Sequence, residues 1–349
     1  MKEYFNRVFE QTKPSPEQKE AMLSRLLKSE RKVVPIKKLK KLTVVGIAAA
    51  LMVISCAAAV VTGIDQRLIN YMGWGGQDQE LLAPGAVPLD ITVEDNGSTL
   101  RYTQVLMDRS TILVLADFTA PEGTVLDVGY SDRGYWGKWG YARFDNPSFT
   151  HRFLDKNGRD LPLTAICTYW QVLEDGDPTD NHLTMLFNLN LTKGTGLGQE
   201  GVYIQLEAID LVAYDREQER DVVLCSGDWS AQIPLPDKDM GWTQKVEDSI
   251  VKEVYLSPMT LQVRLDQEAG WYIRYMEQLD QKWLTLTDRE SRDISMSFIF
   301  GGTVDKEQRN ETYSFDELID PALLQGGKLT LYLKDEPVDI LLDDLAPAE

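Results

Sequence analysis

Histidine, cysteine and clustered glycine residues are the groups in this sequence that could form a catalytic, metal-binding or nucleotide-binding site. Their spacing shows whether they match a known motif of that kind. The chain has two histidines, His151 and His182, and three cysteines. It contains no G-x-S-x-G, H-E-x-x-H or C-x-x-C motif. Those motifs place a serine nucleophile, a catalytic zinc or a redox-active disulfide. The sequence therefore predicts a protein that is not an enzyme and that has no catalytic residue, metal or cofactor.

Two loops could bind a nucleotide or a cation. "GLGQEG" places Gly196, Gly198 and Gly201 in a dinucleotide-type spacing, but a strand-like alternation follows it where a phosphate-binding loop needs a helix. "DKNGRD" (155–160) offers oxygen ligands without the remainder of a calcium loop, and Asn157-Gly158 is a typical turn pair. We interpret both as hairpin turns, with a weak surface cation at the second as the alternative.

The aromatic stretch "GYWGKWGYARF" (134–144) is the third candidate. In a strand, Tyr135, Trp139 and Tyr141 would share one face and Trp136 would lie on the other. Such rings can stack on envelope sugars or form a docking patch, which makes these four residues a candidate surface ligand patch. Alternatively, they fill the core of a β-sandwich, as large aromatic residues often do.

Residues 42–64, "LTVVGIAAALMVISCAAAVVTGI", contain no charge and no proline. As a helix, these 23 residues would extend about 34 Å, slightly more than the roughly 30 Å of bilayer hydrocarbon. A signal peptide has a shorter apolar core, and a lipoprotein acylated at Cys56 would turn polar soon afterwards. The sequence therefore predicts a retained transmembrane helix over 42–64, with lipidation and cleavage as alternatives.

The net charge of the chain changes sign at this apolar segment. Residues 1–41 carry 12 Lys and Arg against 5 Asp and Glu, whereas the rest of the chain carries 24 against 50. Basic residues favour the cytoplasmic side and attract anionic inner-leaflet lipids, so they do not indicate direct nucleic-acid binding. We expect a single-pass cell-membrane protein with a cytoplasmic N-terminus and extracellular C-terminal domains. A disulfide between Cys167 and Cys225 would be permitted there, and two buried free thiols are the alternative.

The predicted cytoplasmic tail, 1–41, has two short amphipathic helical patterns. Their apolar stripes are Tyr4, Phe5, Val8 and Phe9 in the first pattern, and Met22, Leu23, Leu26 and Leu27 in the second. Isolated helices of this length are marginal in water. The tail is therefore either weakly ordered or folded on a cytoplasmic partner that covers both stripes.

Beyond the span, the sequence predicts a mainly β fold. A juxtamembrane neck, 65–89, begins with a short helix over 66–72, and short strand-like runs separated by Asp, Asn and Gly turns follow from residue 90. This pattern favours two β-sandwich domains, 90–236 and a smaller one at 243–349. "VKEVYLSPMTLQVRL" repeats the pattern around residue 105 when Val254 is laid over Val105, Thr260 over Thr111 and Val263 over Val114. These three identities are compatible with a duplicated sandwich unit.

The segment "LLAPGAVPLDITVEDNGSTLRYTQVLMDRSTILVLADFTAPEGTVLD" resembles a Gram-positive membrane-protein family labelled as a domain of unknown function (four-one-seven-nine). The resemblance begins at "MKEYFNRVFEQTKPSPEQKEAML" and is strongest from the span to Asp127. "VKEVYLSPMTLQVRL" looks like the immunoglobulin-like C-terminal module often joined to that family. The resemblance covers most of the chain and implies an immunoglobulin-like two-module ectodomain.

The resemblance also implies a function in signalling and transcription regulation. Such proteins are similar to anti-sigma factors, in which a cytoplasmic tail holds an extracytoplasmic-function sigma factor and the outer domain senses an envelope signal. The partner implied here is a cytoplasmic sigma factor, and the neck would be the segment cut to release it. The tail has no histidine or cysteine, so a zinc-type anti-sigma domain is not implied. A second hypothesis is a surface-anchored envelope-binding or structural protein with a non-signalling tail.

Overall fold

A computed structural model describes residues 64–73, 79–129, 139–145, 152–161, 164–173, 177, 179–193, 197–267, 269, 283–304, 307–332 and 337–348. At 140, 164–168, 192, 193 and 303 only the backbone is described. All of these residues belong to one compact unit, Ile54–Glu349. The predicted tail and, except for Ile64, the predicted span lie outside the described residues. Among the described helices, none is both long enough and apolar enough to span a bilayer.

The described chain is mainly β, as predicted. Helix α1 covers Gln66–Met72, and two 3-10 helices cover Gln79–Gly85 and Pro321–Leu324. The strands are β1 Ala86–Asp95, β2 Ser98–Met107, β3 Thr111–Thr119, β4 Trp139–Asp145, β5 Arg152–Leu154, β6 Thr164–Val172, β7 His182–Lys193, β8 Tyr203–Leu206, β9 Ile209–Asp215, β10 Arg220–Asp228, β11 Ala231–Pro234, β12 Trp242–Lys245, β13 Val251–Leu256, β14 Thr260–Asp266, β15 Leu284–Thr287, β16 Met296–Thr303, β17 Gln308–Phe315, β18 Lys328–Tyr332, β19 Pro337–Leu341 and β20 Ala346–Pro347. Strand β1 starts four residues before the predicted domain boundary at 90.

Strands β1–β11 form the first β region. A five-stranded antiparallel sheet, β1-β2-β3-β7-β6, lies against two three-stranded sheets, β10-β9-β4 and β11-β8-β5. The alternate residues Ile112, Val114 and Phe118 of β3 point into the core between these sheets. Trp229 packs edge-on against Phe118 there, with ring centroids 5.1 Å apart.

The second face of the five-stranded sheet is also buried. Leu106, Leu113 and Leu115 point away from the first core and belong to a separate apolar cluster. This arrangement follows from the sequence of β3, "TILVLADFT", in which five consecutive apolar residues leave no water-facing side. A second layer of structure must therefore cover this face.

Strands β12–β20 form the second β region. A six-stranded sheet, β16-β17-β14-β13-β12-β20, and a three-stranded sheet, β15-β18-β19, enclose a separate core. Val254, Val263 and Tyr313 reach this core from the larger sheet, and Leu286 and Leu329 reach it from the smaller one. The described part of the chain thus has two β cores in one compact unit.

The two larger sheets share their strand order, as the predicted repeat requires. Order β1-β2-β3-β7-β6 in the first sheet matches β12-β13-β14-β17-β16 in the second. Val105 lies opposite Val114, and the aligned Val254 lies opposite Val263. Both hairpins close with the same backbone hydrogen bond, from Asp108 N to Thr111 O at 3.0 Å and from Ser257 N to Thr260 O at 2.9 Å.

Candidate functional site

The part of the neck that the structure describes before strand β1, residues 65–73 and 79–85, is the layer that covers the second face of the first sheet. Helix α1 begins at Asp65, whose carboxylate accepts a hydrogen bond from Arg67 N at 2.9 Å, and ends at Gly73 in a left-handed conformation (φ 73°). The predicted helix over 66–72 is therefore present. A seven-residue helix is not stable alone in water, so its stability comes from contacts with the sheet.

The apolar contacts of the neck come from one side of the helix and from the following 3-10 turn. Leu68, Ile69 and Leu82 have no exposed surface. They belong to a cluster with the sheet residues Leu106, Leu113, Leu115 and Leu186, with Leu173 directly after β6, and with Met240 and Met259. Full burial of one such side chain contributes about 1.5–3 kcal/mol as an upper estimate. The neck is therefore a packed layer of the β region.

Gly85 sets how closely the end of the neck approaches strand β2. A Cβ atom at this position would lie 2.3 Å from the carbonyl oxygen of Met107 and 2.8 Å from the sulfur of Met240. A real side chain cannot fit at such a distance without moving the backbone. Glycine here allows the neck to join β1 directly against the sheet.

Arg67 is the polar anchor of the helix. Its Nη2 and Nε donate to the Asp65 carboxylate at 2.9 and 3.1 Å. Its Nη1 donates to Asp117 of β3 and, at 3.1 Å, to Thr184 Oγ1 of β7. The planar guanidinium thus bridges the helix start and two neighbouring strands, a role that lysine cannot reproduce with one ammonium group.

Asp117 is the carboxylate at the centre of this anchor. His182 Nε2 lies 3.6 Å from its Oδ1, the oxygen to which Arg67 Nη1 also donates. Partial burial opposes ionisation of Asp117, but hydrogen bonds from His182 and Arg67 outweigh burial and lower the pKa of Asp117 to about 2. The hydrogen bonds that the Arg67 side chain donates to Asp65 contribute most to raising the pKa of Arg67 above its ordinary value. Both partners are therefore charged at neutral pH.

Two more hydrogen bonds attach the ends of the helix. The backbone N–H of Asp65 donates to Gln104 Oε1 of β2 at 2.8 Å. At the other end, Gln171 Nε2 of β6 donates to the hydroxyl of Tyr71. Together with the Arg67 contacts, these hydrogen bonds connect the segment 65–71 to four of the five strands of the sheet, β2, β3, β6 and β7. We call this set of contacts, with the apolar cluster beneath it, the neck latch.

A second buried polar network joins the two β regions through their equivalent hairpins. Asp108 is fully buried. Its Oδ2 accepts hydrogen bonds from Ser257 Oγ and Thr260 Oγ1, each at 2.6 Å, and its Oδ1 accepts from Ser110 N and Thr111 N at 2.8 and 2.7 Å. Burial raises the pKa of Asp108, and these hydrogen bonds act in the opposite direction.

Arg109, next to Asp108, extends this contact towards the edge of the interface. Its guanidinium carbon lies 4.5 Å from the centre of the Tyr255 ring, and its Nη1 donates to Glu253 at 2.9 Å. The hydroxyl of Tyr255 donates to Asp239 at 2.7 Å. The two β regions are thus held together by a carboxylate network and a stacked arginine, which restrict their relative motion.

The structure places the predicted aromatic patch only in part. Tyr135 and Trp136 lie outside the described residues. Trp139 is half-buried against the first core, while Tyr141 is exposed and stacks on Tyr214 with ring centroids 5.8 Å apart and planes 11° apart. A register irregularity between residues 139 and 142 accompanies this difference. The guanidinium carbon of Arg143 lies 5.2 Å from the Tyr141 ring centre.

Cys225 is a free, buried cysteine whose pKa is raised by burial. The backbone of Cys167 lies in β6, and its side chain lies outside the described residues. Because Cys225 is free, the structure does not show the disulfide between the two, and Cys225 agrees with the alternative of buried free thiols. The eight tail residues also lie outside the described residues. The described residues contain no group of three or more side chains suited to a metal ion.

The neck latch was missed by sequence reasoning. His182, which the sequence offers only as a catalytic candidate, instead contacts Asp117, and the sequence pattern of the neck predicts its helix over 66–72 without its contacts to the sheet. The continuous apolar run of β3 was the available signal, because an antiparallel strand with one wet face alternates apolar and polar residues. That run requires a cover, and the neck is the helical segment that precedes the sheet in the sequence.

Comparison with known proteins adds little to this geometry. No family model and no curated protein matches the sequence. One similar solved structure is the crystal structure of the conserved domain protein from Bacillus anthracis, with a TM-score of 0.41 and 11% identity over 76% of this chain and 92% of that chain. Another is the N-terminal periplasmic domain of ScsB from Proteus mirabilis, with a TM-score of 0.17 and 10% identity over 72% and 96% of the two chains. Likenesses this weak carry no argument about function.

Proposed function

We propose that the chain is a non-enzymatic, single-pass membrane signalling protein similar to an anti-sigma factor. In this proposal, residues 1–41 sequester a cytoplasmic sigma factor, 42–64 cross the membrane, and an immunoglobulin-like two-module β region senses an envelope signal outside. The apolar run, the charge division on its two sides and the family resemblance support this arrangement.

The neck latch is the observation that supports a signalling role over simple anchoring. An anchor needs only a tether between the span and the outer region. Here the residues directly after the apolar run are packed onto the sheet and bonded to four of its strands. A change in the outer region that alters this sheet therefore reaches the start of the neck, one residue from the proposed span.

Mechanistically, the tail stripes would occupy apolar grooves on the sigma factor. Phe5 and Phe9 from the first stripe and Leu23 and Leu26 from the second are the residues we expect to contribute most. These side chains would cover surfaces that the sigma factor otherwise presents to RNA polymerase. Loss of the stripes should release it.

The test is a transcriptional reporter in cells that make the full-length chain. Replacement of Phe5, Phe9, Leu23 and Leu26 by serine should derepress the sigma-dependent promoter by tenfold or more. A matched variant replaces four polar tail residues, Asn6, Gln11, Gln18 and Glu20, by serine, and it should leave repression intact. Both variants must reach the membrane in equal amounts. Equal reporter activity in both would contradict the anti-sigma role.

Surface anchoring for envelope binding is the second candidate function. The exposed Tyr141, which stacks on the half-buried Tyr214, favours it, because an exposed aromatic ring can stack on a sugar ring. Replacement of both tyrosines by serine should then abolish retention of the full chain on isolated cell-wall material. Replacement of the exposed Tyr332, in the second β region, by serine is the matched control. Unchanged retention of the double variant would remove this candidate.

A further inference from the structure

A cavity of about 680 Å³ lies where the neck meets the second β region. Its wall is built from the loop 288–295 after β15, the segment 316–324 after β17, and Leu81 of the neck. Cavities of about 300–1,000 Å³ are typical of small-molecule sites in proteins. The volume is therefore large enough for a ligand of about the size of a long side chain or a short lipid fragment.

The lining of the cavity combines apolar surface with an excess of negative charge. Leu81, Leu318 and Leu323 contribute apolar surface, and more than half of the Leu323 side chain is exposed. The carboxylates that line the cavity are Asp288, Asp293, Asp316, Glu317 and Asp320, against one basic residue, Arg292. An occupant that matches both properties has an apolar body and a positive charge.

Arg292, the basic residue of the lining, is paired with carboxylates of its own loop. Its Nε donates to Asp288 Oδ2 at 2.7 Å, and it lies 3.6 Å from Glu290. Asp288 also accepts hydrogen bonds from the backbone N–H groups of Glu290 and Arg292 in its own loop. The arginine is therefore engaged at one end of the cavity.

The carboxylates on the far side of the cavity are held by local hydrogen bonds. Asp316 accepts hydrogen bonds from Ser295 Oγ and Ser297 Oγ, and Asp320 caps the 3-10 helix through Ala322 N at 2.9 Å. Hydroxyl and amide donors fix these groups in place without removing their charge. The side of the cavity next to Leu318 and Leu323 is consequently acidic and preorganised.

We propose that this cavity binds an amphiphilic organic cation, a primary or quaternary ammonium group attached to an apolar body. The ammonium group would lie among Asp316, Glu317 and Asp320, and the apolar body would contact Leu81, Leu318 and Leu323. Leu81 belongs to the neck, so a ligand that needs the complete cavity binds only when the neck is in place. Such a ligand stabilises the docked neck by mass action.

This inference rests on the proposed function only where it treats the ligand as the external signal. Binding and its effect on the neck need no sigma factor. The two ideas can therefore fail separately, and the experiment below measures binding and transcription on the same full-length chain.

The probe is 4-phenylbutylammonium, with 4-phenylbutanol and 4-phenylbutanoate as neutral and anionic probes of the same skeleton. Calorimetric titration of the full-length chain in lipid nanodiscs, corrected with empty nanodiscs, should show binding of the cation at least tenfold tighter than of the alcohol, and no binding of the anion. Hydrogen exchange of residues 66–72 should slow at least threefold on saturation with the cation. Equal affinity for all three probes, or unchanged exchange, would overturn the proposal.

Two pairs of variants locate the site. Asp316→Asn with Glu317→Gln should weaken cation binding at least tenfold, whereas Asp343→Asn with Asp344→Asn, exposed acidic residues outside the lining, should not. Leu323→Ser should weaken binding similarly, and Leu341→Ser, equally exposed and outside the cavity, should not. Equal affinity in the members of either pair would overturn the assignment.

The reporter separates this site from the proposed function. If the cation binds and the tail variant derepresses, but the cation leaves transcription unchanged, the site stands and is not the signal input. If the cation fails to bind and the tail variant still derepresses, the site is wrong and the anti-sigma proposal stands. If the cation binds and the tail variant does not derepress, the proposed function fails and the site stands.

Discussion

The two larger sheets have the same strand order and hairpin register, yet their outer faces differ in chemistry. The first sheet carries Leu106 and Leu113 where the repeat alignment places Tyr255 and Gln262 in the second. The leucines lie beneath the neck, whereas the Tyr255 hydroxyl donates to Asp239 and the Gln262 amide to Thr312. The same arrangement of strands therefore has two kinds of outer face. The apolar face of the first sheet is covered by a separate segment, the neck, whereas the polar side chains of the second sheet form hydrogen bonds with neighbouring side chains.

The hairpins show the same divergence at shorter range. Asp108 in the first hairpin accepts hydrogen bonds, and Ser257 at the aligned position in the second donates one of them. Identical turns would place two carboxylates or two hydroxyls together. The substitution at one aligned position converts two equivalent turns into complementary partners.

The largest effect should come from breaking this contact between the hairpins. Asp108→Ala removes the acceptor of five hydrogen bonds and leaves buried donors on Ser110, Thr111, Ser257 and Thr260. We expect a loss of about 3–5 kcal/mol in the free energy of unfolding. Urea unfolding of the purified chain followed by tryptophan fluorescence measures it. Asp237→Ala, on an exposed turn, is the control, and an equal loss in both variants would contradict the role of Asp108.

The next effect tests the apolar cover that only the first sheet has. Leu68→Ala should cost about 2–4 kcal/mol, because it leaves a cavity between the neck and the sheet. Hydrogen exchange over residues 66–72 should become faster as the neck opens more often. The exposed Leu341→Ala should change stability by less than about 0.5 kcal/mol. Unchanged exchange in the Leu68 variant would mean that the neck is not held by this cluster.

The polar part of the latch should respond to acid. The pKa of Asp117 is about 2 in the folded chain and 3.8 without its partners, so its contribution is complete above pH 3.8 and is lost as pH falls towards 2. We expect a loss of about 1–2 kcal/mol over this range, measured by urea unfolding. Asp117→Asn should remove that part of the pH dependence. An identical acid dependence in the variant would exclude Asp117 as its source.

The smallest effect compares two threonines at aligned positions. Thr260→Val removes a hydroxyl that donates to Asp108 at 2.6 Å, and it should cost about 1 kcal/mol. Thr111→Val removes a hydroxyl that donates to Asn190 at 3.3 Å, and it should cost less than about 0.5 kcal/mol. Urea unfolding of both variants measures the difference. Equal costs would show that the second hairpin contributes no more than the first.

Local patterns account for the parts of the fold that could be predicted from the sequence. Asp65 and Gly73 mark the two ends of helix α1, and Asn96-Gly97, both with positive φ, forms the turn between β1 and β2. "GLGQEG" leads into strand β8, as the alternation predicts, with Gly198 and Gly201 in left-handed conformations. The hairpin interpretation of this loop is wrong, because β7 and β8 lie in different sheets. These features depend on a few neighbouring residues, which a sequence displays directly.

The contacts of the candidate sites could not be predicted, because they join residues far apart in the chain. Arg67 meets Asp117 and Thr184, and Asp108 meets Ser257, with nothing in the local sequence to indicate the partner. Likewise, the alternation of residues in the aromatic stretch does not predict the register irregularity beside Trp139. The fold determines which of the many polar residues become buried and which residues they contact. These long-range contacts leave no pattern in the neighbouring sequence.

The position of the neck in the chain also determines when the first sheet receives its cover during synthesis. Helix α1 precedes every strand of the sheet, so it leaves the ribosome before the hairpin of β2 and β3 can form. The leucines of these strands therefore have a partner in the nascent chain from the time they pair. Met240 and Met259, the last members of the cluster to be synthesised, complete it after the first β region is finished.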